Sequence, residues 1–590
     1  MKRIKRLVLY FLFFCLTAEA FCQEAGEVVV NGTVLLRLHE KKGLDVGSKC
    51  EAITRILEEK ADAGASPREL RIVLQPGGAA IYWGKTLVVV VDPYQAGKNS
   101  TTPLALARKW VAAIKTALGG TPLRVSKDVL SVPVGGEQTL TVTGGRGDLK
   151  VSYETWGLEV STDSGDNEIA VVGKMAGTYR LVIQRGALKT AVRVFVKEWA
   201  GRIVPSVERT VTGSPASVDV QVAAALSAVN DAVTLQPGAQ ITVKESPLVL
   251  NSLQPGYEQT VSVPVAVEGK GYFPLDGTVK VKLRNINAPV SDAALLMICN
   301  RPEELKEDGV LFQGKFGVST PVRLLYSHKN VSPVKRQLWV TIKNLRRKPL
   351  KLFVRRASAG PDKYEMQAGH KAAMRYLESY GTRSGYFVAM TGSGTFVVED
   401  FVISPQFTVS GICDFQIVDG EEAEITIRNC EQGKSMTSLK DIQEPFDPFK
   451  IHPHGMFPSP NLTIEKSFSF SGDGGPLAIE VGKWPWLIDA TTGEPNTGNY
   501  GALYRIRLTL SNTGGERQSA LLSFIALNGV SMGTVLLDGK LLEIPVTRQQ
   551  ELSPLAEIPL DPGEKRTLEL VTLPEASSCY PISIQVSKGR

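Results

Sequence analysis

The sequence predicts a multidomain, mainly β protein: one N-terminal α+β module, then a series of β-sandwich domains with one helical insertion. Three observations lead there. At 590 residues the chain has room for about three to five domains of roughly 100–200 residues each. Beyond residue 121, short apolar or alternating runs recur between Gly and Pro punctuation, the signature of strands. Helical periodicity, by contrast, is confined to two stretches before that point and one after it. The 43% hydrophobic content excludes global disorder. The 55 Gly and 34 Pro residues form no Gly-X-Y or Pro-rich repeat, which excludes collagen and low-complexity stalks.

Residues 1–20 read as a secretory signal peptide. Lys2, Arg3, Lys5 and Arg6 form a positive start, and Leu7 to Leu16 is an apolar run too short to span a bilayer. Ala18-Glu19-Ala20 fits a small-x-small cleavage site; cleavage after Cys22, which would expose Gln23, is the alternative. Phe21 stands where lipidation of Cys22 would need a small residue. Removing residues 1–20 lowers the formal charge from +7 to +4. So near-neutral a chain gives no charge argument for nucleic-acid binding. No later stretch is apolar for 18 residues, so no transmembrane segment is expected in the mature chain. The expected destination is the periplasm, the cell surface or the medium.

Residues 24–121 form the α+β module. Val28–Val30 and Thr33–Leu38 read as strand around Asn31-Gly32. A helix follows Ser48, read as its N-cap, with Cys50, Ile53, Ile56, Leu57 and Ala61 on one face. Short strands follow at Leu70–Leu74, Ala80–Trp83 and Thr86–Val91. Thr102 caps a second helix, Pro103 opens it, and Leu104, Ala107, Trp110, Val111, Ile114 and Leu118 form its stripe before Gly119-Gly120. The run Ser48–Leu57, the strand ending Leu87–Val91 and the helix Leu104–Leu118 resemble a small exported module. That module precedes the membrane part of some bacterial mechanosensitive channels and also occurs in other secreted proteins. The resemblance implies an exported module without catalytic residues.

Residues 123–200 carry seven short runs: Leu130–Val134, Thr139–Val142, Lys150–Tyr153, Leu158–Val160, Ile169–Val172, Tyr179–Ile183 and Ala191–Val196. Tyr179, Leu181 and Ile183 alternate inward, as do Val192, Val194 and Val196. Seven strands in so short a span resemble a bacterial Ig-like β-sandwich, without its Cys…Trp…Cys framework. Residues 201–455 continue as strands, clearest at Thr260–Val267, Thr278–Leu283, Val322–Tyr326, Leu338–Ile342 and Leu350–Val354. One helix is predicted over 361–380, stopped by Gly381. Residues 456–590 read as a second sandwich.

Several clusters are candidates for chemistry. Trp484-Pro485-Trp486 and Tyr500, with Asn496, Asn499 and Asp489, form an aromatic-polar loop. Rings stack on sugar faces and amides bind hydroxyls, so this loop is a glycan candidate; otherwise its rings plug the end of the sandwich. Nine Lys and Arg from Lys335 to Arg356 run without an acid. Leu338, Val340 and Ile342 would face inward there, leaving Arg346, Arg347 and Lys348 at a cationic tip. That tip could meet an anionic envelope polymer or lipid head groups, or be a solvated hairpin. His452-Pro453-His454, with Asp447, Glu444, His328 and His370 as further donors, is a metal candidate or a surface loop.

Cys413 and Cys430 flank an apparent hairpin across Asp419–Glu422, which places them opposite each other as a disulfide or as two separate thiols. Arg146-Gly147-Asp148 is an adhesion tripeptide or a plain turn. Gly529-Val530-Ser531-Met532-Gly533 matches a nucleophile elbow, but a strand follows where a helix is required, and the last His is His454. No P-loop or dinucleotide fingerprint is present, and no cofactor is expected. The sequence therefore points to an exported, non-enzymatic envelope or surface protein that presents glycan- or polymer-binding surfaces. The alternatives are a carbohydrate-active hydrolase and a secretion or assembly component docking envelope proteins through residues 24–121.

Overall fold

The structure is a computed structural model. It describes residues 26–589 except 31–32, 42–44, 64, 119–122, 146–147, 163–166, 186–187, 245–249, 435–438, 440–451 and 471–474. Residues 1–20, expected to be a signal peptide, Arg146-Gly147, Glu444 and Asp447 lie outside the described residues. The chain forms two compact units. One runs to Ala200 and adds Gln236–Gln240 and Glu268–Leu275; the other takes Gly201–Leu235, Ile241–Val267 and the chain from Asp276 onward.

In the first unit, Glu27–Val30 pairs antiparallel with Thr33–Arg37. Helix α1 (Val46–Asp62) follows, then the meander Leu70–Gln75, Gly78–Trp83 and Thr86–Val91. Helices α2 (Pro93–Lys98) and α3 (Pro103–Leu118) complete the module. The cap of α1 is Asp45, not Ser48. Asp45 accepts from Ser48 N at 3.1 Å, and the Ser48 hydroxyl donates to the other carboxylate oxygen at 2.7 Å. Thr102 caps α3 as expected, accepting from Ala105 N at 3.3 Å. Helix α2 escapes the sequence pattern because it buries only Gln95 and Ala96, too few for a stripe. Leu57, Ile81, Trp83, Leu106, Trp110 and Ile114 sit in the shared core.

The Ig-like segment is a sandwich of two four-stranded sheets. One holds Leu158–Thr162, Glu168–Gly173, Glu137–Thr143 and Arg124–Val125; the other holds Val129–Pro133, Leu188–Lys197, Gly177–Arg185 and Leu149–Ser152. Tyr179, Leu181, Ile183, Val192, Val194 and Val196 are all buried, as their alternation requires.

The second unit is organised around an eleven-stranded mixed sheet. Its central order is Ser206–Thr212, Gly385–Met390, Leu350–Asp362, Thr408–Asp419, Val322–Asn330, Leu295–Cys299 and Gly455–Pro458. A separate four-stranded sheet holds Gly309–Gly317, Glu422–Glu431, Arg336–Asn344 and Thr395–Ile403. The C-terminal sandwich pairs a five-stranded sheet (Asn461–Ser469, Leu503–Ser511, Lys565–Thr572, Ser531–Leu537, Lys540–Thr547) with a four-stranded one (Leu477–Val481, Ile582–Lys588, Gln518–Ala526, Leu552–Leu560).

This unit contains two helices where the sequence predicts one. Helix α4 (Val218–Ala232) opens on Ser217, which accepts from Val220 N at 3.4 Å. It is buried on nearly all sides, through Val220, Ala224, Ala225, Ala228 and Val229. An apolar helix without a polar face shows no amphipathic period, and its valines read as strand. Helix α5 (Glu365–Gly381) is the predicted helix, starting four residues later because Leu350–Asp362 continues as strand through Pro361.

Helix α5 joins the large sheet to the C-terminal sandwich. Ala373, Tyr376 and Leu377 share one core with Leu296, Ile298 and Phe457 on one side and Leu536, Leu573 and Ala576 on the other. A Cβ at Gly369 would lie 2.0 Å from the Ala576 carbonyl oxygen, so only glycine lets the helix approach the 573–576 segment. Gly369→Ala is therefore expected to destabilise this unit by about 1–3 kcal/mol, seen as a lower urea midpoint for its unfolding transition.

The hairpin expected between Cys413 and Cys430 is not formed. Thr408–Asp419 pairs within the large sheet, whereas Glu422–Glu431 pairs within the four-stranded sheet. Both thiols are buried and free. The turn at Gly420 links two sheets rather than two neighbouring strands, which removes the register argument for a disulfide.

Candidate functional site

The most concentrated chemistry in the described residues is a row of charges inside the second unit. Arg355, Asp414 and Arg323 lie directly opposite one another on three adjacent strands. Arg323 Nε donates to Asp414 Oδ1 at 3.1 Å, and Arg355 Nη1 donates to Oδ2 at 2.6 Å. Tyr376 Oη, from α5, donates to the same Oδ2 at 2.9 Å. Arg323 Nη1 reaches Gly501 O at 3.1 Å, and Arg355 Nε reaches Ser384 O at 3.2 Å. All three charged residues are buried. Burial opposes the charge on Arg323, but the Asp414 carboxylate bonded to it outweighs that and holds the guanidinium protonated. Burial also drives the Tyr376 phenol well above its usual range, so it acts as a donor.

This row opens onto a cleft of about 440 Å³ lined by Arg355, Tyr380, Arg383, Arg505, Asp292 and Glu569, with Val290, Leu536 and Val571 as its apolar walls. Tyr380 is flanked by two guanidiniums, Arg355 at 5.3 Å and Arg505 at 5.9 Å from its ring centre. Arg505 also pairs with Asp292 and Tyr380 Oη. Burial works against the Asp292 carboxylate, but Arg505 outweighs it and holds the carboxyl below its ordinary value.

A second buried set locks α5 to the C-terminal sandwich. His370 Nδ1 lies 2.8 Å from Glu575 Oε2, and Nε2 lies 3.2 Å from Glu543 Oε1. Thr534 Oγ1 donates to Glu575 Oε1 at 2.7 Å. Burial raises Glu575. Burial also pulls against the His370 imidazolium, but Glu575 and Glu543 outweigh it and raise His370. The pair thus holds its proton more tightly folded than unfolded.

The sequence candidates fare differently. Of the loop's candidates Trp484, Trp486, Asp489, Asn496, Asn499 and Tyr500, Trp484 alone is exposed, at 73%. Asn496 and Asn499 are completely buried. Asn496 holds Tyr500 through its N–H at 3.0 Å and its carbonyl at 2.9 Å. Asn499 accepts from Leu487 N at 2.8 Å and donates to Tyr504 Oη at 2.9 Å and Pro485 O at 3.1 Å. Tyr500 donates to Ser578 O at 2.8 Å, with its phenol pushed up to about 12 by burial. Trp486 is half-buried. The amides that were to bind sugar hydroxyls are consumed in shaping the loop, which leaves Trp484 as the exposed ring of the expected platform. Asp489 is likewise taken up, accepting from Met456 N and from Thr492 N and Oγ1.

The expected cationic hairpin is largely neutralised. Arg336 and Arg355 are buried, paired with Asp308 and Asp414, and Arg356 pairs with Glu399. At the exposed tip, Arg346 meets Glu422 at 3.0 Å and Glu421 at 3.6 Å, and Lys348 meets Glu421 at 3.5 Å. Arg347 is exposed. The acids come from the turn after Asp419, distant in sequence and adjacent in space, so the acid-free run does not make an acid-free surface. Leu338, Val340 and Ile342 are buried as expected.

His452 Nδ1 lies 2.9 Å from Glu303, while His454 sets its ring edge-on to Phe312 at 5.6 Å. His328 is buried between Cys299 Sγ at 3.3 Å and Pro302 O at 2.9 Å and is pushed down to about 4 by burial. His370 is engaged with Glu575. Among the described residues no group of three or more His, Cys, Asp or Glu could hold a metal ion. Ser531 opens a strand and bonds to Cys579 O, in keeping with the rejected nucleophile elbow.

Sequence reasoning missed Arg323, Asp414 and Tyr376, and named His370 only as a possible metal donor. A signal exists: Val322-Arg323-Leu324-Leu325-Tyr326 and Ile412-Cys413-Asp414-Phe415 each set one charged residue inside an otherwise apolar run. A charge in such a run needs a buried partner.

No family model matches the chain, and no curated protein matches it. Solved structures are similar to parts of it. Domains 4 and 5 of the S-layer protein SbsC are 20% identical over 22% of this chain and 77% of that chain, with a TM-score of 0.13. The titin Ig tandem A164–A165 is 11% identical over 28% of this chain and 98% of that one, with a TM-score of 0.12. The human desmocollin-1 ectodomain is 12% identical over 33% and 48%, with a TM-score of 0.11. No helix among the described residues is long and apolar enough to cross a membrane.

Two outcomes follow from the networks. Asp414→Asn strands two buried guanidiniums and is expected to cost about 3–5 kcal/mol by urea unfolding, against less than about 0.5 kcal/mol for exposed Trp484→Ala. For His370, a raised folded value means its stabilisation is complete below the unfolded value of 6.5 and is lost as pH rises through the folded one. The Tm of the second unit is therefore expected to fall as pH rises above 6.5 and through the raised folded value, and His370→Gln to flatten that dependence.

Proposed function

We propose that this chain is an exported envelope or surface protein whose β-sandwiches form a non-enzymatic scaffold for binding. The observation that carries the reading is the use made of buried charge. Arg323, Arg355 and Asp414 join three strands, Arg356 and Glu399 join two sheets, and His370 and Glu575 join a helix to a sandwich. Each brings secondary elements together, which suits a protein whose task is to hold a shape. The basic-then-apolar run of residues 2–16 supports export. The resemblance of residues 24–121 to a small exported module supports it too and suggests that this part docks an envelope protein. Glycan or an anionic envelope polymer is the ligand class that fits such a scaffold.

The test is to recover the full-length protein from fractionated cells and sequence its N-terminus. The expected result is protein outside the cytoplasm beginning after Ala20 or Cys22. Intact protein starting at Met1 and confined to the cytoplasm would overturn the reading.

A further inference from the structure

We propose that the cleft beside α5 binds the carboxylate of an acidic sugar. Arg323, Arg355 and Arg505 are matched at hydrogen-bonding distance by Asp414 and Asp292 alone, so the cluster holds one positive charge more than negative. Glu569, the other acid lining the cleft, is engaged by Arg507 at 2.9 Å. Arg383 lines the cleft exposed to solvent and makes no ion pair among the described residues.

The Arg355 side chain is 3% exposed, its Nε and Nη1 are engaged with Ser384 and Asp414, and its Nη2 makes no hydrogen bond, although the residue lines the cleft. Arg323 Nη2, behind it, is buried and also unpartnered. A buried guanidinium with excess charge and an open donor is costly unless an anion completes it. Tyr380, between Arg355 and Arg505, fixes both heads. A planar carboxylate matches the geometry of such forks.

A space of about 440 Å³ exceeds a bare ion and falls within the range of about 300–1,000 Å³ for organic ligands. Leu536 and Val571 offer an apolar wall for a ring's C–H face. Ser291, Asp292 and Glu569 offer oxygens to hydroxyl donors. A carboxylate attached to a polyhydroxylated ring uses all of these features together.

The proposal rests on the scaffold reading only for where such a ligand would be met. A failed titration leaves export untouched, and failed export leaves the titration untouched. The experiment is calorimetric titration of the full-length protein with D-glucuronate, D-glucose and inorganic phosphate. Glucuronate is expected to bind at least about tenfold more tightly than either. Arg355→Lys, which removes the open nitrogen, is expected to weaken glucuronate about tenfold. Arg383→Ala, at an exposed position, is expected to weaken it severalfold and keeps the test decisive where Arg355→Lys does not fold. Glucuronate binding no better than glucose, phosphate binding equally well, or affinity unchanged in both variants would each overturn the proposal.

Discussion

Asp414 is the constraint on which the second unit depends. One carboxylate sits between Arg323 and Arg355 on neighbouring strands and also accepts from Tyr376 of α5. Burying three charges is expensive, and such networks contribute less to stability than to uniqueness. Shifting either flanking strand by one residue would turn its arginine to the other face of the sheet, leaving Asp414 unpaired. The network therefore fixes the register of three strands and the seat of the helix at once. Through Arg323 and Gly501 it extends to the loop between Leu477–Val481 and Leu503–Ser511 inside the C-terminal sandwich. The same surplus of guanidinium over carboxylate gives the neighbouring cleft its preference for an anion.

The loops obey a different rule, repeated in both parts of the second unit. Asn330, Asn344 and Asn512 are buried at or just after strand ends. Each accepts the N–H two residues ahead, at 3.0 Å in every case, and donates to the carbonyl four residues ahead, at 2.8 Å in every case. Each also reaches a carbonyl of a more distant segment: Ile403, Thr391 or Leu560. One amide thus closes a turn and fastens it, satisfying backbone groups that burial would otherwise strand. Asn496 and Asn499 do comparable work in the Trp484 loop. Their polarity suggested ligand binding in one dimension, whereas in three dimensions it serves the loop's own backbone.

The fold class was legible because it rests on local periodicity. Alternation in Tyr179–Ile183 and in Leu338–Ile342 fixes which side is buried, and α3 and α5 carry clear apolar stripes. Legibility failed where burial is not one-sided. Helix α4 is enclosed and shows no stripe, and Val322–Asn330 extends beyond its apolar start because Ser327, His328 and Asn330 are buried too. The candidate site was legible only as isolated residues, since Arg355 was read as one more cation in a basic run.

What the sequence determined by itself was the order of elements, the dominance of β structure, the inward faces of the clearest strands and an N-terminal segment of signal-peptide pattern. These follow from interactions within a few residues. What the tertiary structure alone decided was the partnership of charges and the sheet to which each strand belongs. Cys413 and Cys430 look paired across a turn but belong to different sheets. Arg346 and Lys348 look unopposed but meet Glu421 and Glu422, and Arg355 and Arg323 meet at Asp414, 59 and 91 residues further along the chain. Electrostatic complementarity depends on distance in space, and the chain's folding back sets that distance.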